Sequence, residues 1–290
     1  MKIAYVEPKN WNKRTREFLA KVTAVCDDYH AQGYKLTLRQ LYYQLVSSEF
    51  IPNQQSEYKR LSIFLTQARM AGLVDWDIIE DRIRIPRREP HWDGIKNLVE
   101  AAVSGYRRDR WEDQDNFCEV WVEKDALSGV LYPIAEEFHV SLLVNRGYSS
   151  ASCMHESAIR LRRQEDFGKK VTVLYLGDHD PSGEDMVRDI ESRLRIFGCK
   201  ARVKKIALTM KQIEQYNPPP NPAKLSDPRS TDYINKHGES SWELDALKPD
   251  VLNKLLRKEI GKIIDIDRYN DVIELEKNEV RELEEATSDL

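Results

Sequence analysis

The chain has 290 residues and a formal net charge of −4, with 41% hydrophobic and 32% charged residues. This length suits two domains with separate cores, and the composition is typical of a soluble globular protein. No apolar run approaches the roughly 20 residues that span a bilayer, and the N-terminus lacks the apolar region of a signal peptide. The four cysteines have no metal-ligand spacing, which favours reduced thiols and a cytoplasmic protein without a membrane partner.

Residues 1–110 predict a mostly helical domain. Apolar spacing predicts three helices, over Asn10–His30, Leu38–Ser47 and Glu57–Met70. Thr37 is the expected N-cap of the second helix, and imperfect alternation over Trp76–Ile85 predicts a β-wing. Residues 91–110 are then predicted to form a helical connector. Helices followed by a basic β-ribbon favour a winged-helix domain that binds DNA.

The distribution of charge supports a polyanionic partner for this domain. Residues 1–110 contain 19 Lys and Arg against 14 Asp and Glu, a net charge of +5, so the remainder carries −9. The residues expected to grip the DNA backbone are Lys59, Arg60, Arg69, Arg87 and Arg88. The alternative interpretation is a small helical subdomain whose basic side chains are only solvated.

Residues 111–216 alternate between strand and helix patterns. The predicted strands are Glu119–Glu123, Val140–Val144, Val171–Leu176 and Ala201–Leu208. The helices between them cover Asp125–Phe138, Ala151–Arg163 and the stretch from Pro181 to about Phe197. This order predicts a compact parallel sheet with helical crossovers.

Carboxylates follow two of these strands. Glu123 closes the first strand, and Asp178 and Asp180 leave the third strand just before Pro181. Ligands bind at the carboxyl ends of strands in open α/β sheets, and carboxylate oxygens suit Mg²⁺ or Mn²⁺. We therefore expect these three residues to share one metal site. The alternative is that the aspartates cap the following helix and that Glu123 is a solvated strand end.

Residues 217–290 are predicted to form a C-terminal extension. The Pro-rich run Asn217–Pro222 predicts an extended break, and the polar stretch Lys224–Gly238 predicts a surface loop. Order resumes at Ser241–Leu247, followed by an amphipathic helix over Pro249–Ile264. The acidic final helix, Val272–Ala286, is expected either to fray or to serve as an oligomer contact.

The strand-terminal Glu, the strand order and the run Asp178-His179-Asp180-Pro181-Ser182-Gly183 together resemble the Toprim fold of topoisomerases, primases and certain nucleases. The Pro-x-Gly continuation is similar to the A subunit of topoisomerase VI and the related meiotic double-strand-break protein. The resemblance implies an α/β fold with a small parallel Toprim-type sheet flanked by helices, preceded by the winged-helix domain. It continues weakly at Trp242–Leu247.

The same family has an Arg-x-aliphatic-Tyr-Tyr helix, which resembles Arg39 to Tyr43 here. The resemblance implies that Tyr43 attacks a DNA phosphodiester to form a 5′-phosphotyrosyl link, assisted by Arg39, with Glu123 also in the catalytic set. Lys124 and His179 are expected to contact phosphate or to support the site. A homodimer is implied because, in the family, the tyrosine of one protomer meets the metal site of the other. Tyr43 as a core aromatic is the competing interpretation.

The leading expectation is Mg²⁺-dependent DNA cleavage by a topoisomerase VI A-like protein. The chain carries no Gly-x-x-x-x-Gly-Lys-Ser/Thr motif, so strand passage would need a separate ATPase partner. One alternative is a Toprim nuclease that hydrolyses DNA or RNA with metal-activated water. The other is a DNA-binding module without catalysis.

Overall fold

The computed structural model describes residues 2–7, 10–79, 89, 91–145 and 147–288. Its helices are α1 Lys13–Ala31, α2 Leu38–Ser47, α3 Gln55–Met70, α4 Ile95–Gly105, α5 Ser128–Glu137, α6 Ala151–Asp166, α7 Pro181–Ile196, α8 Met210–Tyr216, α9 Ser230–His237, α10 Pro249–Ile260 and α11 Ile266–Ala286. The strands are β1 Asn116–Val122, β2 Leu142–Val144, β3 Lys170–Leu176, β4 Arg202–Ala207, β5 Asn221–Pro222 and β6 Ser240–Ser241, and short 3₁₀ helices cover Asp125–Leu127 and Leu244–Ala246.

A four-stranded, all-parallel sheet in the order β2-β1-β3-β4 is the centre of the fold. Side chains alternate across it, because successive residues of a strand point to opposite faces. Val120 and Leu174 pack with α5 and α10 on one face, while Trp121 and Tyr175 pack with α6 and α7 on the other. Burial on both faces explains why the two central strands, β1 and β3, are mostly apolar. The predicted mixed α/β class with a helix-flanked parallel sheet is confirmed.

The N-terminal part is a separate apolar cluster built from α1, α2 and α3. The three predicted helices are present to within a few residues of their expected bounds. Thr37 caps α2 as expected, in a reciprocal arrangement with Gln40. Of the predicted β-wing, residues 76–79 contain no strand, only a bridge between Leu36 and Ile79, and residues 80–85 lie outside the described residues.

The C-terminal segment departs from the expectations in two places. The predicted loop over 224–238 is wrong in part, because its second half is α9, which is anchored by the buried Tyr233. The final helix begins at Ile266 rather than Val272, since Asp265 caps it. Beyond residue 216, Leu244, α10 and their neighbours complete the core on one face of the sheet, so the sheet layer extends past the predicted division.

Two acidic residues of α11, Glu276 and Glu279, pair with arginines that precede β1. Glu276 is buried and bonds to Arg110 at 2.9 Å, and Glu279 bonds to Arg108 at 2.6 Å. These contacts hold the helix against the segment that enters β1. In the described part of the chain, no helix is long and apolar enough to cross a membrane.

Candidate active site

The carboxyl ends of β1 and β3 bring Glu123 and Asp178 together. Val122 lies opposite Leu176 in the parallel register, so the residues that follow them leave the same edge of the sheet. The Glu123 amide donates to the Leu176 carbonyl at 2.9 Å, and the Asp178 amide donates to Oε2 of Glu123 at 3.1 Å. The expected proximity of these two residues, which are 55 positions apart in sequence, is present.

In the turn that leads into α7, Asp178 and Asp180 make different contacts. Oδ1 of Asp180 accepts from the Gly183 amide at 2.6 Å and from the Ser182 hydroxyl at 2.9 Å, so Asp180 is the N-cap of α7. A Cβ at Gly183 would lie 2.2 Å from the Asp178 carbonyl oxygen, which explains the need for glycine there. Asp180 therefore caps α7 through Oδ1, as the alternative interpretation of the aspartates expected, whereas Asp178 does not cap the helix.

Lys124 lies at the centre of a carboxylate cluster formed by Asp178, Glu243 and Asp245. Its Nζ is 2.9 Å from Oδ1 of Asp178, 2.6 Å from Oε2 of Glu243 and 3.6 Å from Oδ1 of Asp245. The Leu244 amide also donates to Oδ1 of Asp178, at 2.8 Å. The 3₁₀ turn at 244–246 and its N-cap Glu243 thus bring two carboxylates, Glu243 and Asp245, to the end of β3.

Burial and charge set the protonation of this cluster. Desolvation raises the pKa of Glu123, Asp178 and Asp245, although the Lys124 charge opposes it in each case. Burial alone would also raise the pKa of Glu243, but the charges and hydrogen bonds of Lys124 and of Arg39 in α2 hold it at about 2. Desolvation acts to lower the pKa of Lys124, and the three carboxylates outweigh it and raise that pKa.

Helix α2 presents Arg39 and Tyr43, one turn apart, to the same cluster. Arg39 Nη2 is 2.7 Å from Oε2 of Glu243, and its Nε is 3.2 Å from Oδ2 of Asp245. The guanidinium lies 5.8 Å from the centroid of the Tyr43 ring. The hydroxyl of the preceding tyrosine, Tyr42, is instead engaged by Asn53, whose Oδ1 accepts from it at 3.0 Å. The two tyrosines therefore differ, and Tyr43 is the one that faces the site.

Tyr43 is 8% exposed. Burial is the largest cause of its raised pKa, and the neighbouring carboxylate of Glu243 adds to it, while Arg39 and Lys124 act in the opposite direction. Arg39 lies against the Tyr43 ring and pairs with Glu243, which in turn pairs with Lys124, and Lys124 pairs with Asp178, all within one chain.

The carboxylate oxygens at this edge of the sheet are the type of ligand that a hard divalent cation prefers. Asp178, Glu243 and Asp245 surround Lys124, and Arg39 pairs with the last two, so three carboxylates face two cations. Both oxygens of Asp245 are buried without a hydrogen bond. The three predicted ligands are not gathered into a cluster, however. Over the described ranges, the one group of three His, Cys, Asp or Glu residues with ligand atoms within 4.8 Å of one another lies elsewhere. The Mg²⁺ site stays a prediction.

Of the basic residues expected to grip the DNA backbone, the three that the structure describes, Lys59, Arg60 and Arg69, form no ion pair with this cluster, whereas Lys124 lies inside it. Lys59 is exposed on α3, and Arg60 pairs with Glu57 at 2.7 Å. Arg69 stacks over Trp76 at 4.3 Å and donates to its carbonyl at 2.8 Å, which gives it a structural role. Arg87 and Arg88 lie outside the described residues.

Glu243 and Asp245 are site residues that the sequence did not single out. The only signal for them was the similarity of residues 242–247 to a late segment of the resembled family, because two carboxylates on a 3₁₀ turn have no periodicity. Comparison with protein-family models found no match, and comparison with curated proteins found none either.

Proposed function

We propose that this chain cleaves DNA strands in the presence of Mg²⁺ by transesterification, with Tyr43 as the nucleophile, in the manner of a topoisomerase VI A-like protein. In this proposal the parallel sheet is a Toprim-type metal-binding domain, and the N-terminal helices are a winged-helix DNA-binding domain. One observation supports it most: Arg39, 5.8 Å from the centroid of the Tyr43 ring, and Lys124, which pairs with Asp178, share the carboxylate of Glu243, so the candidate nucleophile and the strand-end carboxylates belong to one site.

Attack by Tyr43 exchanges one phosphate ester for another. The Tyr43 oxygen bonds to phosphorus while the bond from phosphorus to the 3′ oxygen breaks, which leaves a 5′-phosphotyrosyl link and a 3′-hydroxyl. The Tyr43 proton passes to water, because the neighbouring Glu243 has its pKa held at about 2 and is a weak base, and water supplies a proton to the 3′ oxygen. Arg39 lies over the Tyr43 ring and places a fixed cation beside the phosphate that this residue attacks.

Glu123, Asp178 and Asp180 are the residues that would hold Mg²⁺ in this proposal. The ion would polarise the phosphate and offset the charge that develops during the attack. Lys124 keeps the carboxylates of Asp178 and Glu243 in place, and its raised pKa makes it a permanent cation rather than an acid.

The test is cleavage of supercoiled plasmid with Mg²⁺, followed by denaturation and separation of protein-linked from free DNA ends. Wild type and Tyr42→Phe should give protein joined to 5′ ends, and Tyr43→Phe should give none. Asp178→Asn should lower the rate by about 10²–10³-fold, as expected for loss of a preorganised charge. Asp166→Asn, at an exposed position on α6, is its matched control. Cleavage by Tyr43→Phe at the wild-type rate would refute the assignment of the nucleophile.

Hydrolysis by a metal-activated water is the second candidate, and the raised pKa of Tyr43 favours it. Burial and Glu243 both disfavour the phenoxide that a tyrosine nucleophile needs. In that case Tyr43→Phe retains cleavage and leaves free 5′-phosphate ends, whereas Asp178→Asn loses it. The homodimer and the separate ATPase partner remain predictions of the resemblance.

A further inference from the structure

A second cluster of titratable side chains lies behind the turn that carries Asp178. It consists of His179 in the turn, Glu184 in the first turn of α7 and His237 at the end of α9. One ligand atom from each lies within 4.8 Å of the other two. The His179 side chain is only 2% exposed, and the other two are partly exposed. None of the three takes part in the cleavage proposed above.

Hydrogen bonding to Tyr233 fixes the proton on the His179 ring. The proton of the Tyr233 hydroxyl lies between two acceptors, the carbonyl oxygen of Ser240 at 2.9 Å and the carbonyl oxygen of His179 at 3.0 Å. Because a hydroxyl has one proton, its oxygen is left to accept from Nδ1 of His179, which is 2.9 Å away. Nδ1 therefore carries the hydrogen, and Nε2 has a free lone pair.

That lone pair faces an anion. Nε2 of His179 is 3.7 Å from Oε1 of Glu184, which is too long for a hydrogen bond. Lys205 donates to the same Oε1 at 2.7 Å and to the Asp178 carbonyl at 2.7 Å, so Glu184 is held in this orientation from its far side. Two electron-rich ligand atoms thus point at one small space, with a second imidazole, that of His237, beside them.

We propose that His179, Glu184 and His237 bind one Zn²⁺ ion, with Nε2 as the ligand atom of His179. Two imidazole nitrogens and a carboxylate oxygen suit zinc in tetrahedral coordination, and the Nδ1–H contact to Tyr233 is the supporting hydrogen bond that metal-bound histidines usually make. The fourth position is open to water, because Glu184 and His237 line a cavity of about 260 Å³. The ion ties α9 to the turn between β3 and α7, and its binding does not depend on DNA cleavage.

The test is the zinc content of the full-length chain after incubation with Zn²⁺ and removal of free metal. Wild type should retain one Zn²⁺ per chain, and an excess of Mg²⁺ should not displace it. His237→Ala and Glu184→Gln, both at partly exposed positions, should lose at least 90% of that zinc. His30→Ala, an exposed histidine outside the cluster, is the matched control and should retain it. All variants keep the same cysteines, so zinc held by thiols would not differ among them.

A second measurement separates binding from folding. Zinc should raise the melting temperature of the wild type and of His30→Ala, and it should leave that of His237→Ala unchanged. With a chelator present, His237→Ala and wild type should melt at similar temperatures. Retention of equal zinc by wild type and His237→Ala, or no retained zinc in the wild type, would overturn the proposal.

Discussion

Lys124→Met is the substitution that examines the carboxylate cluster most directly. Methionine keeps the length of the side chain and removes the ammonium that lies within 2.9 Å of both Asp178 and Glu243. Lys124 is 13% exposed, and the side chain of Asp245 beside it is fully buried. Removing one partner of a buried ion pair typically costs about 3–5 kcal/mol, because the other charge stays behind without compensation. We expect a loss of that size at neutral pH.

The assay is urea denaturation of wild type and Lys124→Met at pH 7.5 with a chelator, and Lys59→Met on the exposed face of α3 is the control. The control should change stability by no more than about 0.5 kcal/mol. Adding Mg²⁺ should stabilise Lys124→Met more than wild type, since a divalent cation replaces the missing charge among the same carboxylates. A loss no larger than that of Lys59→Met would refute the idea that Lys124 neutralises this cluster.

Three further predictions concern the same region. The pKa of Glu243 is lowered to about 2 in the folded chain, so its contribution to the free energy of unfolding is present above pH 4.5 and is lost as pH falls toward 2. In acid denaturation followed by circular dichroism, the wild type should therefore lose about 3 kcal/mol more of that free energy over this range than Glu243→Gln. Gly183→Ala should destabilise by about 1–3 kcal/mol in urea denaturation, because the new Cβ would meet the Asp178 carbonyl, whereas Gly94→Ala, where nothing lies within 4 Å, should not. If the site is completed within one chain, a mixture of Tyr43→Phe and Asp178→Asn proteins should stay inactive in plasmid cleavage; recovered activity would show instead that the tyrosine acts on the carboxylates of a second copy.

Local pattern was sufficient for most of the secondary structure. The apolar runs of β1 and β3 and the helical spacing of α1 to α3 are properties of consecutive residues, and each predicted the observed element. The parallel direction of the strands was also predictable from the sequence, since helical crossovers separate them. Helix α9 was missed because its polar sequence resembles a loop. It is held in place by hydrogen bonds from Tyr233 to the carbonyl groups of His179, 54 positions earlier, and of Ser240, which follows the helix.

The amino-acid order by itself determined the sheet and the proximity of Glu123 to Asp178, because parallel strands place their carboxyl ends at a common edge. Only the tertiary structure decided where Asp178 and Tyr43 point: Asp178 lies against Lys124, and Tyr43 lies beside Arg39, which pairs with Glu243. These orientations depend on which donors and charges arrive from α2 and from the 3₁₀ turn at 244–246. Such contacts join residues up to about 200 positions apart, and no local periodicity encodes them.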